Sequence, residues 1–492
     1  MNEKIITQKK MPLLDAIEKY NKKKPAYFCT PGHRYEKGVN LRFRKLVGDA
    51  VFSFDLTETP YTDDLHNAMG AIWEAEELAR KSFGADDTHF LINGTTCGNQ
   101  AMILSAAFEG EKIAIPRNAH KSVLMGLILS GAEPIYLMPE ISQDTGLLGG
   151  ITTESVEEMF AENPDCKGVL VVSPTYYGIC SDLSSIAAIC HKRDAVLLVD
   201  EAHGAHCYFS DLLPKGALEQ GADMCAQSIH KVAGALTQSS MLHVKSKLID
   251  QQRVDANLHL VQSTSPSYLL MASLDAARYD LENKGKALIS KAVELAEYVR
   301  AALKPIRGIR CIGREIVGTA GINDLDITRL TISAFELGLS GYCLKDILFE
   351  EYNCDVELAD DKNILAIITF ANTKEDMDQL LNALSCIAAM HQDGEPVIRH
   401  EIFPASPEQV LSPRKAYFSR KEDVEWKDAV GRIAGELIAP YPPGIPVIYP
   451  GERMSQEIWD FIEEYRIHKR HFHGPADSKL RYFKVIKDES DD

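Results

Sequence analysis

From about residue 66 onward, short apolar runs alternate with stretches in which apolar residues recur every three or four positions. The runs His89 to Ile92, Lys112 to Ile115, Pro134 to Leu137, Gly168 to Val172 and Ala195 to Val199 read as strands. Helical patterns lie between them: one stops at Phe83 before the C-cap residue Gly84, another starts near Lys121, and a third covers Leu183 to His191. Short apolar strands joined by helices predict a mainly parallel sheet covered on both faces, an α/β fold. Upstream, Leu13, Leu14 and Ile17 share one face of a helix from about Met11 to Tyr20 that Pro25 ends, and turns follow at Thr30 to Arg34 and Pro60 to His66.

The pattern changes after a long helix predicted over Lys284 to Leu303. Strands at Leu330 to Ile332 and Ile364 to Thr369 flank a helical stretch, and a helix from Lys374 to Met390 follows Thr373 as N-cap. These elements predict a smaller α+β domain. Gly394-Glu395-Pro396 reads as a linker. The rest forms a further α+β unit with turns at Tyr441 to Pro446 and Pro450-Gly451-Glu452, ending in an acidic tail, Asp488 to Asp492. The expected division is an N-terminal segment 1–65, a large domain 66–270, a small domain 271–393 and a C-terminal domain 394–492.

Composition narrows the function. A chain of 492 residues, 45% hydrophobic and 25% charged, is globular with ample core. Its formal net charge of −18 argues against nucleic acid or an anionic membrane as the main partner. Eleven cysteines are scattered with no CxxC, which fits reduced thiols and a cytoplasmic setting. No apolar run approaches the roughly 20 residues of a membrane span, and Met1 to Lys4 open no signal-peptide apolar region.

Candidate chemistry centres on Gln227-Ser228-Ile229-His230-Lys231-Val232, which follows an apolar stretch, and on the strand that ends at Asp200. A lysine amine beside a cofactor aldehyde and a buried carboxylate at a ring nitrogen are what pyridoxal 5′-phosphate chemistry needs. Asn93 to Asn99 reads as a loop between strand and helix, rich in Gly and Thr. Gly94, Thr95 and Thr96 there suit a phosphate, whereas an ordinary capped loop is the plainer reading. The string Asp200-Glu201-Ala202-His203 also occurs in helicases, but those need a Walker A loop, and none occurs here. His120 follows a strand and suits stacking on a cofactor ring. Ser228 and His230 flank the lysine turn, and Thr237, Ser239 and Ser240 end the loop after it. His468, His471 and His473 alternate with Lys469 and Arg470 as a solvated basic loop, so no metal site is expected. No G-x-S-x-G occurs, and no cysteine lies in an activating context.

Together these residues resemble a known family. Gly94-Thr95-Thr96-x-Gly98-Asn99, Arg117-Asn118-x-His120-Lys121-Ser122, Pro174-Thr175-Tyr176-x-Gly178, Asp200-Glu201-Ala202-His203-Gly204 and Ser228-x-His230-Lys231 are similar to the motifs of the ornithine/lysine/arginine decarboxylases. Pro31-Gly32-His33, Pro443-Gly444-Ile445-Pro446 and Pro450-Gly451-Glu452 extend the resemblance over nearly the whole chain, which looks most like the compact bacterial arginine decarboxylases. Arg34 stands where many relatives carry lysine, and Cys97 at a variable site.

The resemblance implies the aspartate-aminotransferase type of fold (fold type I) and pyridoxal 5′-phosphate as cofactor. It implies Lys231 as the lysine that bonds the cofactor, Asp200 at the ring nitrogen, His120 stacked on the ring and His203 beside the ring hydroxyl. Gly94, Thr95, Thr96, Ser228 and His230 would hold the phosphate, with Ser240 reaching a neighbouring subunit's phosphate. It also implies at least a homodimer and a basic amino-acid substrate, with L-arginine converted to agmatine and CO₂ in polyamine biosynthesis. Lysine or ornithine decarboxylation, an aminotransferase and a non-catalytic regulatory protein of the same fold are the alternatives. For a guanidinium, which wants a planar carboxylate partner, Glu452 and Asp64 are the expected readers. The rival reading of Glu452 is a cap for a helix beginning near Met454.

Overall fold

The computed structural model describes residues 8–142, 144–392, 394, 407–441, 445–468 and 471–487. The N-terminal residues Met1 to Lys4, the linker residues Glu395 and Pro396, the turn residues Pro442 to Gly444, the pair Lys469 and Arg470, and the tail from Asp488 lie outside them.

Eight strands come first along the chain: β1 Asp87–Leu91, β2 Lys112–Pro116, β3 Glu133–Leu137, β4 Gly168–Val172, β5 Ile179–Cys180, β6 Val196–Asp200, β7 Met224–Gln227 and β8 Ser240–Val244. The helices among them are α1 Pro12–Lys23, α2 Leu41–Val47, α3 Ala71–Phe83, α4 Gly94–Ala106, α5 Lys121–Ser130, α6 Thr153–Glu162, α7 Leu183–His191, α8 Ile229–Val232, α9 Gln251–Val261 and α10 Tyr268–Leu303. The chain divides into two compact units, Met1–Ser105 with Leu198–Ser290, and Ala106–Leu197 with Lys291–Asp492.

In the first unit the strand order is β1-β8-β7-β6. The first two pairings are antiparallel and β7 runs parallel to the last three residues of β6. The apolar stripe of α1 does what its spacing predicts: Leu13 and Ile17 pack with Ile72, Ala75 and Ala79 of α3 and Met271 and Leu274 of α10. Helix α3 ends at Gly84, whose φ of 67° is the left-handed cap that glycine adopts without strain.

Two elements differ from expectation. The segment Gly94 to Asn99, read as loop, is the opening of α4. Gly, Thr and Asn are poor helix formers, but packing overrides propensity: a Cβ at Gly98 would lie 2.9 Å from both Ala226 and Leu91, so glycine lets α4 sit close on the strands. Helix α10 starts at Tyr268, well before Lys284. Its first half hides an ion pair, Asp275 with Arg278 at 2.7 Å and fully buried, which interrupts the apolar stripe the sequence would otherwise show. Asp275 also accepts the Leu13 backbone N–H at 3.0 Å, tying α1 to α10.

In the second unit the sheet runs from the first two residues of β6 through β4 and β2 to β3, with β2 parallel to both neighbours. Asp182 caps α7, accepting Ser185 N–H at 3.1 Å. A smaller antiparallel sheet joins β9 Arg310–Cys311, β11 Arg329–Ser333, β12 Leu358–Ala359 and β13 Asn363–Ile367, and β10 Asp324–Leu325 pairs with β5. Helices α11 Gly341–Tyr352 and α12 Lys374–Met390 accompany it, α12 opening on the predicted Thr373 cap with Asp376 completing a capping box. The C-terminal elements are α13 Pro413–Phe418, β14 Lys421–Glu425, β15 Ala439–Tyr441, α14 Gln456–Ile467, β16 His471–His473 and β17 Tyr482–Ile486. Trp426, Ile458, Ile462 and Phe483 form a core of their own there. Among the described residues no helix is long and apolar enough to cross a membrane. The fold is therefore α/β around a mixed, mostly parallel sheet, with α+β additions.

Candidate active site

Strand β7 is buried along its length and releases the chain at Ser228 into α8, a single turn. That turn carries Lys231, whose backbone N–H returns to the Ser228 carbonyl at 3.1 Å. The Lys231 Nζ lies 3.0 Å from His203 Nε2. His203 sits on the tight turn after β6, closed by Gly204 N–H to the Glu201 carbonyl at 2.9 Å. The lysine motif and the acidic motif, separate in sequence, thus meet because β6 and β7 are neighbours in register, Asp200 opposite Ala226.

Asp200 ends β6 and is buried. Its Oδ2 accepts the Asn99 amide at 2.7 Å and its Oδ1 the Ala202 N–H at 3.2 Å. Both donors are neutral, so the hydrogen bonds orient the carboxylate without neutralising its charge. Asn99, which the motif reading quoted without a role, projects from the second turn of α4. Only its place five residues beyond Gly94 in an unrecognised helix could have revealed this contact.

Three hydroxyls gather at the start of α4. Thr95 Oγ1 lies 2.6 Å from Ser228 Oγ and 3.2 Å from Ser240 Oγ, and all three residues are buried. Gly94, with φ at 70°, turns the chain into the helix, so the N–H groups of the first turn open beside these hydroxyls. Thr96 lies half-buried in the same turn. Ser240 joins this cluster within its own chain. His230 donates from Nδ1 to the Ser239 carbonyl at 3.0 Å, and burial pulls its pKa down. Its Nε2 becomes a donor only on protonation. Burial pushes the Cys97 thiol up to about 12, so it is no nucleophile.

The set therefore offers a primary amine beside an imidazole, a buried carboxylate with neutral partners, and three hydroxyls at a helix N-terminus. That chemistry suits a ligand with a phosphate at one end, a cationic ring nitrogen at the other and a carbonyl carbon within reach of an amine.

Three further residues are placed as follows. Asp64 is half-buried and caps the short helix Leu65–Asn67 by accepting His66 N–H at 2.9 Å. His120 is exposed and caps α5: its Nδ1 accepts the Ser122 N–H at 3.2 Å and lies 2.8 Å from Ser122 Oγ. Glu452 is 0% exposed and pairs with Arg117, itself 1% exposed. It also accepts the Tyr449 N–H at 2.7 Å, and Arg117 donates to the Val447 carbonyl at 2.8 Å. The guanidinium lies 4.8 Å from the Tyr136 ring centre and 4.7 Å from that of Tyr449. Burial pushes the Glu452 carboxyl up while Arg117 pulls against it. The helix cap is Ser455, which accepts Ile458 N–H at 3.2 Å, so the capping reading of Glu452 is corrected.

The chain is similar to known proteins over most of its length. The family model "Orn/Lys/Arg decarboxylase, major domain" matches residues 11–332, and "Orn/Lys/Arg decarboxylase, C-terminal domain" matches 397–478. The chain is 42% identical to the arginine decarboxylase of Halalkalibacterium halodurans over 485 residues, 98% of each chain. It is 40% identical to the arginine decarboxylase of Bacillus subtilis over 488 residues, 98% of this chain and 99% of that one. The lysine decarboxylase of Francisella novicida superposes with a TM-score of 0.84 at 23% identity, covering 97% of this chain and 81% of its own, a likeness of fold.

Proposed function

Because the chain belongs to the ornithine/lysine/arginine decarboxylase family, we propose that it removes the α-carboxylate of L-arginine as CO₂, leaving agmatine, with pyridoxal 5′-phosphate as cofactor. The single observation that carries the reading is the convergence of Lys231, His203 and Asp200 beside the Thr95–Ser228–Ser240 hydroxyls. The curated arginine decarboxylases at 40–42% identity favour arginine over lysine or ornithine. Bound there, the cofactor supplies an aldehyde for an amine and a ring that accepts the electrons left when a carboxylate departs as CO₂.

The chain's own residues do the rest. Thr95, Ser228, Ser240 and the first N–H groups of α4, with Gly94 and Thr96, hold the phosphate. His230 joins them once protonated beside that anion. Asp200, oriented by Asn99, holds a proton at the ring nitrogen. Lys231 provides the amine, and His203, 3.0 Å from it, accepts or returns the lysine's proton. His120 keeps a ring-stacking role on the resemblance alone. Asp64 retains a carboxylate oxygen beyond its cap and is assigned to the guanidinium; Glu452, saturated by Arg117, is assigned to the fold. A cytoplasmic homodimer or higher assembly acting in polyamine biosynthesis belongs to the same proposal.

The test is direct. The cofactor-loaded protein is incubated separately with arginine, lysine and ornithine, and amine and CO₂ are measured. Agmatine with equimolar CO₂ is expected. Amino-group transfer to an added keto acid without CO₂ would identify an aminotransferase, and cadaverine or putrescine would reassign the substrate.

A further inference from the structure

Behind the strand ends that carry the site lies a second polar assembly. Successive side chains of a strand point to opposite faces, so Asp200 and Glu201 leave the end of β6 in opposite directions. Glu201 is 1% exposed. Its Oε1 accepts the Ala217 N–H at 2.7 Å; its Oε2 accepts the Tyr208 hydroxyl at 2.9 Å and the Gln227 amide at 2.8 Å. Gln227 Oε1 lies 3.1 Å from His243 Nε2, and His243 Nδ1 lies 2.7 Å from Thr88 Oγ1. Glu201, Gln227, His243 and Thr88 belong to β6, β7, β8 and β1 or the residue following, in the order in which those strands pair. All four are buried. Phe83 lies against the His243 ring at 4.5 Å and meets Tyr208 edge-on at 5.2 Å, closing the ladder from water.

The direction of every proton follows. Burial pushes the His243 pKa down to about 3, so the ring is neutral and carries one N–H. Gln227 donates to Glu201, which leaves its carbonyl oxygen facing His243. His243 therefore donates from Nε2, and its bare Nδ1 accepts from the Thr88 hydroxyl. Each donor points one strand closer to Glu201, whose hydrogen-bond partners are all neutral.

We propose that Glu201, Gln227 and His243 are positioning residues for the reaction. Glu201 directly follows Asp200, Gln227 directly precedes Ser228 and lies one helical turn from Lys231, and His243 shares β8 with Ser240. The ladder fixes the strand carrying the ring anchor against the strands carrying the phosphate anchors. A slip between them would separate Asp200 from the Ser228–Lys231 turn. This inference rests on the cofactor assignment above.

Two variants of the full-length protein test it. Both Glu201 oxygens accept from donors, so Glu201→Gln sets an amide N–H₂ against either the Gln227 N–H₂ or the Ala217 N–H, opposing two donors in either orientation. The double variant Glu201→Gln/Gln227→Glu restores a donor facing a carboxylate and leaves an oxygen for His243. The measurements are cofactor dissociation, the absorbance of the bound cofactor, kcat and KM for arginine, and Tm. Glu201→Gln is expected to weaken cofactor binding and lower kcat about tenfold each, the loss typical of a hydrogen bond to a charged group, with KM changed much less. The double variant is expected to recover most of both. If Glu201→Gln does not fold, Thr88→Val, which removes only the last donor, is expected to show the same split at about threefold. Variants that bind cofactor and turn over like the wild type while only Tm falls would overturn the ladder alone. A wild-type protein that takes up no cofactor would overturn the functional reading and the ladder with it.

Discussion

Two carboxylates, Asp200 and Glu452, are both buried, both sit in motifs, and are held in opposite ways. Glu452 meets the Arg117 guanidinium with a backbone N–H completing its shell, so its charge is cancelled within the fold. Asp200 accepts from the Asn99 amide and the Ala202 N–H, and among the described residues no ion pair to it is seen, so its charge is oriented and left uncancelled. A buried charge without a counter-charge is costly unless a partner arrives. The first arrangement is complete in the chain itself; the second invites a cation from outside, which a protonated pyridine nitrogen provides. Sequence context alone had offered both acids as functional, and the identity of their partners separates them.

The comparison breaks most sharply at Lys231. Lys231→Ala should reduce turnover below detection and leave no cofactor attached after borohydride reduction and dialysis. A variant that still retained it covalently would move the attachment elsewhere. Next comes Asp200→Ala, which should lose about 10²–10⁴-fold in kcat, as removing one partner of a buried pair costs about 3–5 kcal/mol. Some cofactor should still bind through the separate hydroxyl cluster, and Tm should stay near that of the wild type. Near-normal decarboxylation would show that another acid protonates the ring.

Glu452→Gln should do the reverse. It strands Arg117 without its counter-charge, at a cost to stability of about 3–5 kcal/mol, while kcat/KM for arginine in the folded protein stays within about twofold. A large rise in KM at unchanged Tm would return Glu452 to the role of guanidinium reader. The smallest effect concerns pH. His243 stays neutral in the fold down to about 3, whereas an unfolded histidine gains a proton near 6.5. The unfolded state therefore binds more protons between those values, and stability falls as pH drops through that window. The slope is at most about 1.4 kcal/mol per pH unit. His243→Gln should remove that share of the slope, as denaturant unfolding at pH 4, 5 and 6 would show; identical slopes would place the acid sensitivity elsewhere.

Much of this was legible in the chain. Helices α7 and α12 announce themselves because Asp182 and Thr373 cap them and their apolar stripes are unbroken. Lys231, Asp200 and Thr95 stood out because each sits in a local motif where strand gives way to turn. What stayed hidden depends on distant partners. The buried Asp275–Arg278 pair disguised the start of α10. The Arg117–Glu452 pair joins residues 335 positions apart. The ladder from Thr88 to Glu201 exists only once four strands are in register, and nothing in the local sequence of Gln227 or His243 distinguishes it from an ordinary polar residue in a strand.

The central claim is that Asp200 is left uncancelled so that it can hold a proton on the cofactor ring. Nuclear magnetic resonance of the protein reconstituted with pyridoxal 5′-phosphate isotope-labelled at the ring nitrogen tests it most directly. The account predicts a protonated nitrogen in the wild type at neutral pH and an unprotonated one in Asp200→Ala. An unprotonated nitrogen in the wild type, or a protonated one that survives the substitution, would contradict it.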